Sequence, residues 1–362
     1  MDSDGVARVL SVVPEGQGDP TFNGSVPNAW RAEPFAISSV FESTLFSDPD
    51  RVELIADQAG DYRVLQAYGP TISGPVVFGA ETYRPDPEPI LTPTEFVVFL
   101  IAGQSNAQGI GKPSLSPAIP EGVAYQYYNG ALTAATADPI GNADTASAWP
   151  AFANEFFRLT GLGVIFVPAA AGNSGLTVAA SSSAVGGNTQ NWTSPTGLRS
   201  TAMDRLQAAL SAASAAGLAW RFGGVLWSQG ERDSRCLPNA TSNPGVITEG
   251  DYRTAFENLV SYFNAQIGYS KWPFIVSMTG GDTEGIDADA LASMRALQRR
   301  ITREVQQARL GWTGAFNLIA RGLMRWHDFP SGSPDQNRSH YSQQGYNEMG
   351  AAMAAVAAVS AI

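Results

Sequence analysis

An apolar run from Phe96 to Ala102 stops at Gly103 and is followed at once by Gln104-Ser105-Asn106. The run is too short for an ordinary helix and leaves no polar position for an exposed face. It therefore reads as a strand buried on both sides and ended by a tight turn. Such strands belong to parallel sheets covered by helices, in which ligands bind just beyond the carboxyl ends of the strands. Ser105 stands at such an end, which makes it a candidate nucleophile. The amide side chains of Gln104 and Asn106 beside it are candidate substrate contacts.

The same strand-then-glycine pattern recurs along the chain. Residues 162–170 read as a buried strand that leads to Gly172, and residues 223–231 and 272–280 read as strands that run into tight turns. A further short strand is expected over 315–320. Between them, helices are expected over 147–161 (with a serine cap and Pro150 in its first turn), over 198–217, from Tyr252, and over 287–308. An alanine-rich helix closes the chain, and residues 103–145 read as loop-rich. Strands alternating with crossover helices imply an α/β architecture, a mainly parallel sheet with helices on both faces.

Before residue 93 the pattern is different. Residues 1–30 are rich in Gly, Pro, Asn and Asp and read as an extended arm. From Phe35 to Tyr83, β-prone runs such as RVELIA and YRVLQAY alternate with turn signals. Residues 84–93 carry four prolines and read as a semi-rigid linker. The expected organisation is a small β-rich accessory or anchoring domain over 1–92 and a catalytic domain over 93–362.

Composition narrows the function. A net charge of −11 with only two lysines, Lys112 and Lys271, argues against nucleic acid or an anionic membrane surface as partner. Cys236 is the only cysteine and His327 and His340 the only histidines, so neither a disulfide nor a His/Cys metal centre is expected. No apolar run approaches the ~20 residues that span a bilayer, and no signal peptide is visible at the N-terminus. Neither membrane insertion nor a cofactor is expected, and localisation stays open.

Four polar segments would converge at one sheet edge: residues 103–106, residues 171–175, residues 227–233, and residues 333–342 with His340. A serine there needs an imidazole to take its proton, and a third group to hold the other ring nitrogen. The oxyanion that forms needs preorganised donors. The amides of Ser105 and of Gly172 or Asn173, and the side chain of Gln229, are the candidates. Trp192, in a polar loop, is the best aromatic candidate for a sugar contact, because Trp227 at a strand end reads as core. Cys236 reads as a structural thiol, and His327 as a surface or packed histidine.

These four blocks, in this order and with each of the first three following an expected strand, resemble those of SGNH (GDSL-like) hydrolases over residues 95–362. Within that group they most resemble the sialate O-acetylesterase and carbohydrate esterase family 6 group, which includes acetylxylan esterases. The resemblance implies a three-layer α/β/α fold with an SGNH-type, flavodoxin-like parallel sheet, and a serine esterase that removes O-acetyl groups from a carbohydrate through an acyl-enzyme. By motif, Ser105 is the nucleophile, His340 the base, and Gly172 and Gln229 complete the oxyanion hole with the Ser105 amide.

The chain departs from that pattern twice. Asn173 stands where the family has a second glycine, and asparagine is the residue that best replaces glycine at positive φ. Asn337 stands where the family has an aspartate three residues before the histidine. Glu231 or Asp335 is then the acid behind His340. If neither serves, the chain is a weak or inactive carbohydrate-binding component. A polar arm and β unit ahead of an esterase also resemble spike proteins of phage-like particles, with residues 1–92 as the anchor to a larger assembly.

Overall fold

The computed structural model describes residues 92–361 apart from residues 142, 144, 239–245, 269–271, 281–287 and 330–338, together with the backbone of three strands between residues 51 and 76. The chain divides into two compact units, Met1–Leu91 and Thr92–Ile362. In the first, β1 (Arg51–Ala56), β2 (Tyr62–Gly69) and β3 (Ile72–Val76) form an antiparallel sheet in that order. The runs RVELIA and YRVLQAY supply its first two strands. The expected arm, residues 1–30, lies outside the described residues.

The second unit is built on a seven-stranded sheet. Its strands are β4 (Phe96–Gly103), β5 (Ala124–Tyr128), β6 (Ala131–Ala134), β7 (Gly163–Pro168), β8 (Trp220–Ser228), β9 (Phe274–Ser277) and β10 (Ala308–Trp312). Their order is β10-β9-β8-β4-β7-β5-β6, and every pair is parallel except the β5–β6 hairpin. The helices are α1 (Ser105–Gln108), α2 (Trp149–Thr160), α3 (Leu198–Ala215), α4 (Glu231–Ser234), α5 (Glu249–Ile267), α6 (Ala288–Glu304) and α7 (Gln343–Ala361). From β4 the chain builds β5 to β7 on one side, then crosses to build β8 to β10 on the other. β4 is therefore the switch point, and the crevice of such a sheet opens at its carboxyl end.

The pleat of β4 shows why its run carries no polar residue. Val98 and Leu100 pack into one core with Met203 and Leu206 of α3, Phe256 and Leu259 of α5, and Met294 and Leu297 of α6. Val97, Phe99 and Ile101 pack into the other with Phe152 and Phe156 of α2 and Met349 and Met353 of α7. Successive side chains of a strand face opposite ways, so a strand between two helical layers must be apolar at every position. Phe99 meets the rings of Phe152 at 5.0 Å and Phe156 at 5.3 Å, both edge-on, an orientation that aromatic quadrupoles favour.

Two expectations are corrected. The stretch read as loop contains the β5–β6 hairpin. The last strand is Ala308–Trp312 rather than 315–320, where a single 3-10 turn, Gly314–Asn317, begins. Ala315 and Leu318 are buried while Phe316 and Ile319 are exposed, which is the spacing of a helical turn and not of a strand.

Candidate active site

The site begins with a close backbone approach. Gly103 has φ +127°, and a Cβ there would lie 2.1 Å from the carbonyl oxygen of Ser228 on β8. Only glycine lets β4 and β8 come so close and turn there. The Gln104 amide donates to that same Ser228 oxygen at 2.9 Å. The chain then enters α1, with Ser105 as its first residue. Trp149 fixes this short helix from α2, its Nε1 donating to Ala107 O at 2.9 Å.

Four loops converge here. His340 Nε2 lies 2.9 Å from Ser105 Oγ, across 235 positions of sequence. The surrounding cleft, of about 270 Å³, is lined by Gln104, Ser105, Gly172, Asn173, Glu231 and His340 among others. Gly172 keeps its loop against the serine, since a Cβ there would sit 2.9 Å from Gln108 Oε1 and 3.9 Å from Ser105 Cβ. Asn173 has φ +55°, the left-handed conformation that asparagine tolerates best after glycine. Gln104 Oε1 accepts from the amides of Gly230 at 3.3 Å and Arg232 at 3.2 Å, tying the β8–α4 turn to the nucleophile turn.

Asn106 is the knot of the site. Its Nδ2 donates to Glu231 Oε1 at 2.8 Å and to the Ser339 carbonyl at 3.0 Å. Its Oδ1 accepts from the Tyr346 hydroxyl of α7 at 2.9 Å. With 1% exposure it is out of reach of a ligand, which corrects its expected role as a substrate contact. Trp192 is corrected likewise. It is wholly buried, edge-on to Trp227 at 5.2 Å, with Nε1 donating to Ser174 Oγ. Its polar loop folds inward because Asn191 caps the turn that follows, Oδ1 accepting from the amides of Thr193 and Ser194.

Gln229 is also buried, with Nε2 donating to Asp233 Oδ2 at 2.5 Å and Oε1 accepting from the Tyr252 hydroxyl. The amide is thus spent in the core, which corrects its expected place as an oxyanion donor. Asp233, fully buried, accepts besides from the amides of Leu176 and Thr177 and from Thr177 Oγ1. Burial pushes its carboxyl above the ordinary range against the pull of these donors. It fixes the 172–177 loop and takes no part in the cleft lining. Arg232 pairs with neither acid of its block, since its guanidinium donates to the carbonyls of Ala180 and Val185.

Two atoms of cleft-lining residues stay unsatisfied among the described residues. His340 Nδ1 and Glu231 Oε2 are buried without a hydrogen-bond partner among the described residues. Burial, with the charge of Arg325, pushes the His340 imidazole down to about 4, so it is neutral at neutral pH. Burial raises the Glu231 carboxyl, opposed by its own amide, Asn106, the Gly280 amide and Tyr341. Asp335 and Asn337 lie outside the described residues. Sequence reading missed Tyr341, which donates to Glu231 Oε1 at 3.4 Å, and Gln108, which lines the cleft. Their only signals were adjacency to His340 and a one-turn spacing from Ser105. Cys236 is buried and free, and burial pushes its thiol up, as for a structural cysteine. Among the described residues there is no His/Cys/Asp/Glu group able to hold a metal, and no helix is long and apolar enough to cross a membrane.

A family model described as carbohydrate esterase, sialic acid-specific acetylesterase, matches residues 95–358. Among solved structures, NanS matches at 17% identity and TM-score 0.50, over 74% of this chain and 97% of that one. A carbohydrate acetylesterase from Xanthomonas citri matches at 18% identity and TM-score 0.47, over 73% of this chain and 55% of its own. A protein from Arabidopsis thaliana matches at 15% identity and TM-score 0.48, over 73% and 98%. No curated protein sequence matches.

Proposed function

Since the chain belongs to the sialic acid-specific acetylesterase family of carbohydrate esterases, and so is a carboxylic ester hydrolase, we propose that it removes O-acetyl groups from a carbohydrate through an acetyl-Ser105 intermediate. The observation that carries this reading is the 2.9 Å approach of His340 Nε2 to Ser105 Oγ inside a cleft. A neutral imidazole at that distance takes the Ser105 proton as Oγ attacks the acetyl carbonyl. The oxyanion faces the amides of Ser105 and Gly172 (or Asn173). The first of these is at a helix N-terminus, where amides have no intrahelical acceptor. On collapse, the imidazolium protonates the departing sugar oxygen. Water then attacks the acetyl group with His340 as base, which releases acetate and restores Ser105.

With Nε2 accepting from Ser105, the ring proton sits on Nδ1. Glu231 is the carboxylate we assign to it, because it lines the same cleft, its Oε2 has no hydrogen-bond partner among the described residues, and imidazolium formation supplies the charge this oxygen lacks. Catalytic hydrogen bonds often close only when substrate is bound. Asp335 is the rival acid. Hydrolysis of an aryl acetate by the wild type and by Ser105→Ala tests the assignment. The wild type is expected to turn over and the variant to lose about a thousandfold or more. Equal, negligible rates from both would instead mark the chain as an inactive, carbohydrate-binding component.

A further inference from the structure

A second concavity, of about 520 Å³, runs along α6 and shares no lining residue with the cleft. Arg295, Arg299 and Arg303 recur at one-turn spacing on the same helix face, with the small Ala292 and Ala296 beside them in the lining. Phe316 forms the wall and is 64% exposed, an unusual state for so large a ring. The Arg295 guanidinium lies 5.7 Å from that ring and donates to the carbonyls of Thr279 and Ala315, so both are held in place. Glu304, which also lines the groove, is engaged with Arg253, and the nearby Glu249 pairs at 2.8 Å with Arg300, a fourth arginine of the lining. Arg295, Arg299 and Arg303 have no ion-pair partner among the described residues. In a chain of net charge −11, three guanidinium groups along one helix face that pair with no carboxylate among the described residues form a local excess of positive charge.

From this geometry we infer that the α6 groove binds a carboxylate-bearing sugar residue of a glycan chain. Guanidinium forks match carboxylates, and a flat aromatic face complements a sugar ring. The segment that follows β9 links the groove to the cleft: Met278 lines the groove, while the amide of Gly280, two residues on, faces Glu231. A polymer held at the groove would present its neighbouring residues to Ser105. The inference rests on the carbohydrate reading above, but its binding test needs no turnover.

The test is retention of the full-length protein on an array of uronate- and sialate-containing chains beside neutral chains, followed by calorimetric titration of the best ligand. Acidic chains are expected to be retained over neutral ones, with affinity falling as salt rises. The paired substitution Arg299→Gln and Arg303→Gln is expected to weaken binding about tenfold or more, and Phe316→Ala to weaken it as well. Aryl-acetate hydrolysis by these variants should stay at the wild-type level, and Ser105→Ala should bind as the wild type does. No preference for acidic chains, unaltered binding by the paired variant, or equal competition by inorganic phosphate, duplex DNA or anionic vesicles would overturn it. If binding holds while aryl acetate is not turned over, the esterase assignment fails and the groove stands.

Discussion

Asn106 hydrogen-bonds at once to the buried carboxylate of Glu231, to the carbonyl just before His340, and to Tyr346 of α7. Its substitution should therefore act on the rate and not on binding. Asn106→Ala is expected to lower kcat by about ten- to a hundredfold, since a charge-assisted hydrogen bond contributes about 1.5–3 kcal/mol. KM for an aryl acetate should hardly move, because the side chain cannot touch substrate. Steady-state kinetics separate the two. Glu231 and His340 give a second prediction, in pH. The reaction needs imidazole neutral and carboxylate charged, so kcat/KM rises with pH along an acid limb that belongs to the pair. His340 alone, with its pKa pushed down to about 4, would place that limb in strongly acidic solution. Burial raises the Glu231 carboxyl and moves the limb upward. Glu231→Gln should shift the limb down toward about 4 and lower kcat by about a hundredfold or more. If the pH–rate profile and kcat stay unchanged, the acting carboxylate is Asp335.

The turn between β4 and α1 depends on glycine for two separable reasons, positive φ and lack of space. Gly103 has both, with φ +127° and the Ser228 carbonyl where a Cβ would go. Gly161, at the end of α2, has φ +68° but nothing within 4 Å. Gly161→Ala is expected to cost about 1–2 kcal/mol, the conformational penalty alone. Gly103→Ala should cost more, about 3–4 kcal/mol, because β4 and β8 must also part. Urea denaturation of both variants measures the difference, and equal costs would mean that the strands separate freely. The elements differ in how plainly their residues announced them. The fully apolar β4 and β7 were legible because both faces of each are covered. The β5–β6 hairpin was not, although Asn129 (φ +49°) and Gly130 (φ +81°) form the Asn-Gly turn that marks such hairpins. Its strands, AYQYY and ALTA, are half-exposed at the sheet edge and lack the apolar run that betrays a buried strand. β10 went unread because ARLGW sets Arg309 and Gly311 among its apolar residues and lacks the unbroken apolar run of a strand covered on both faces.

In the molecule as a whole, the order of polar loops in sequence was enough to name which segments meet, because a parallel sheet sends every strand's carboxyl end to one edge. Ser105, Gly172, Glu231 and His340 are brought to one cleft for that reason. Side-chain direction was not legible. Gln229 and Trp192 sit in the expected segments yet turn into the core, where Asp233 and Ser174 bond them. A buried acid that needs four donors leaves no trace in a linear pattern. The same sheet sets the α6 groove near the cleft, linked to it by Met278 and Gly280 just after β9. Acetylation of the enzyme itself tests the central assignment most directly. The full-length protein is mixed with an aryl acetate, quenched within the first turnovers, and examined by intact-mass and peptide mass spectrometry. The predicted result is the mass of one acetyl group mapped to Ser105, accumulating in His340→Ala only slowly and absent from Ser105→Ala. Turnover with no acetyl-enzyme in any quench, or an acetyl group mapped to another residue, would contradict it.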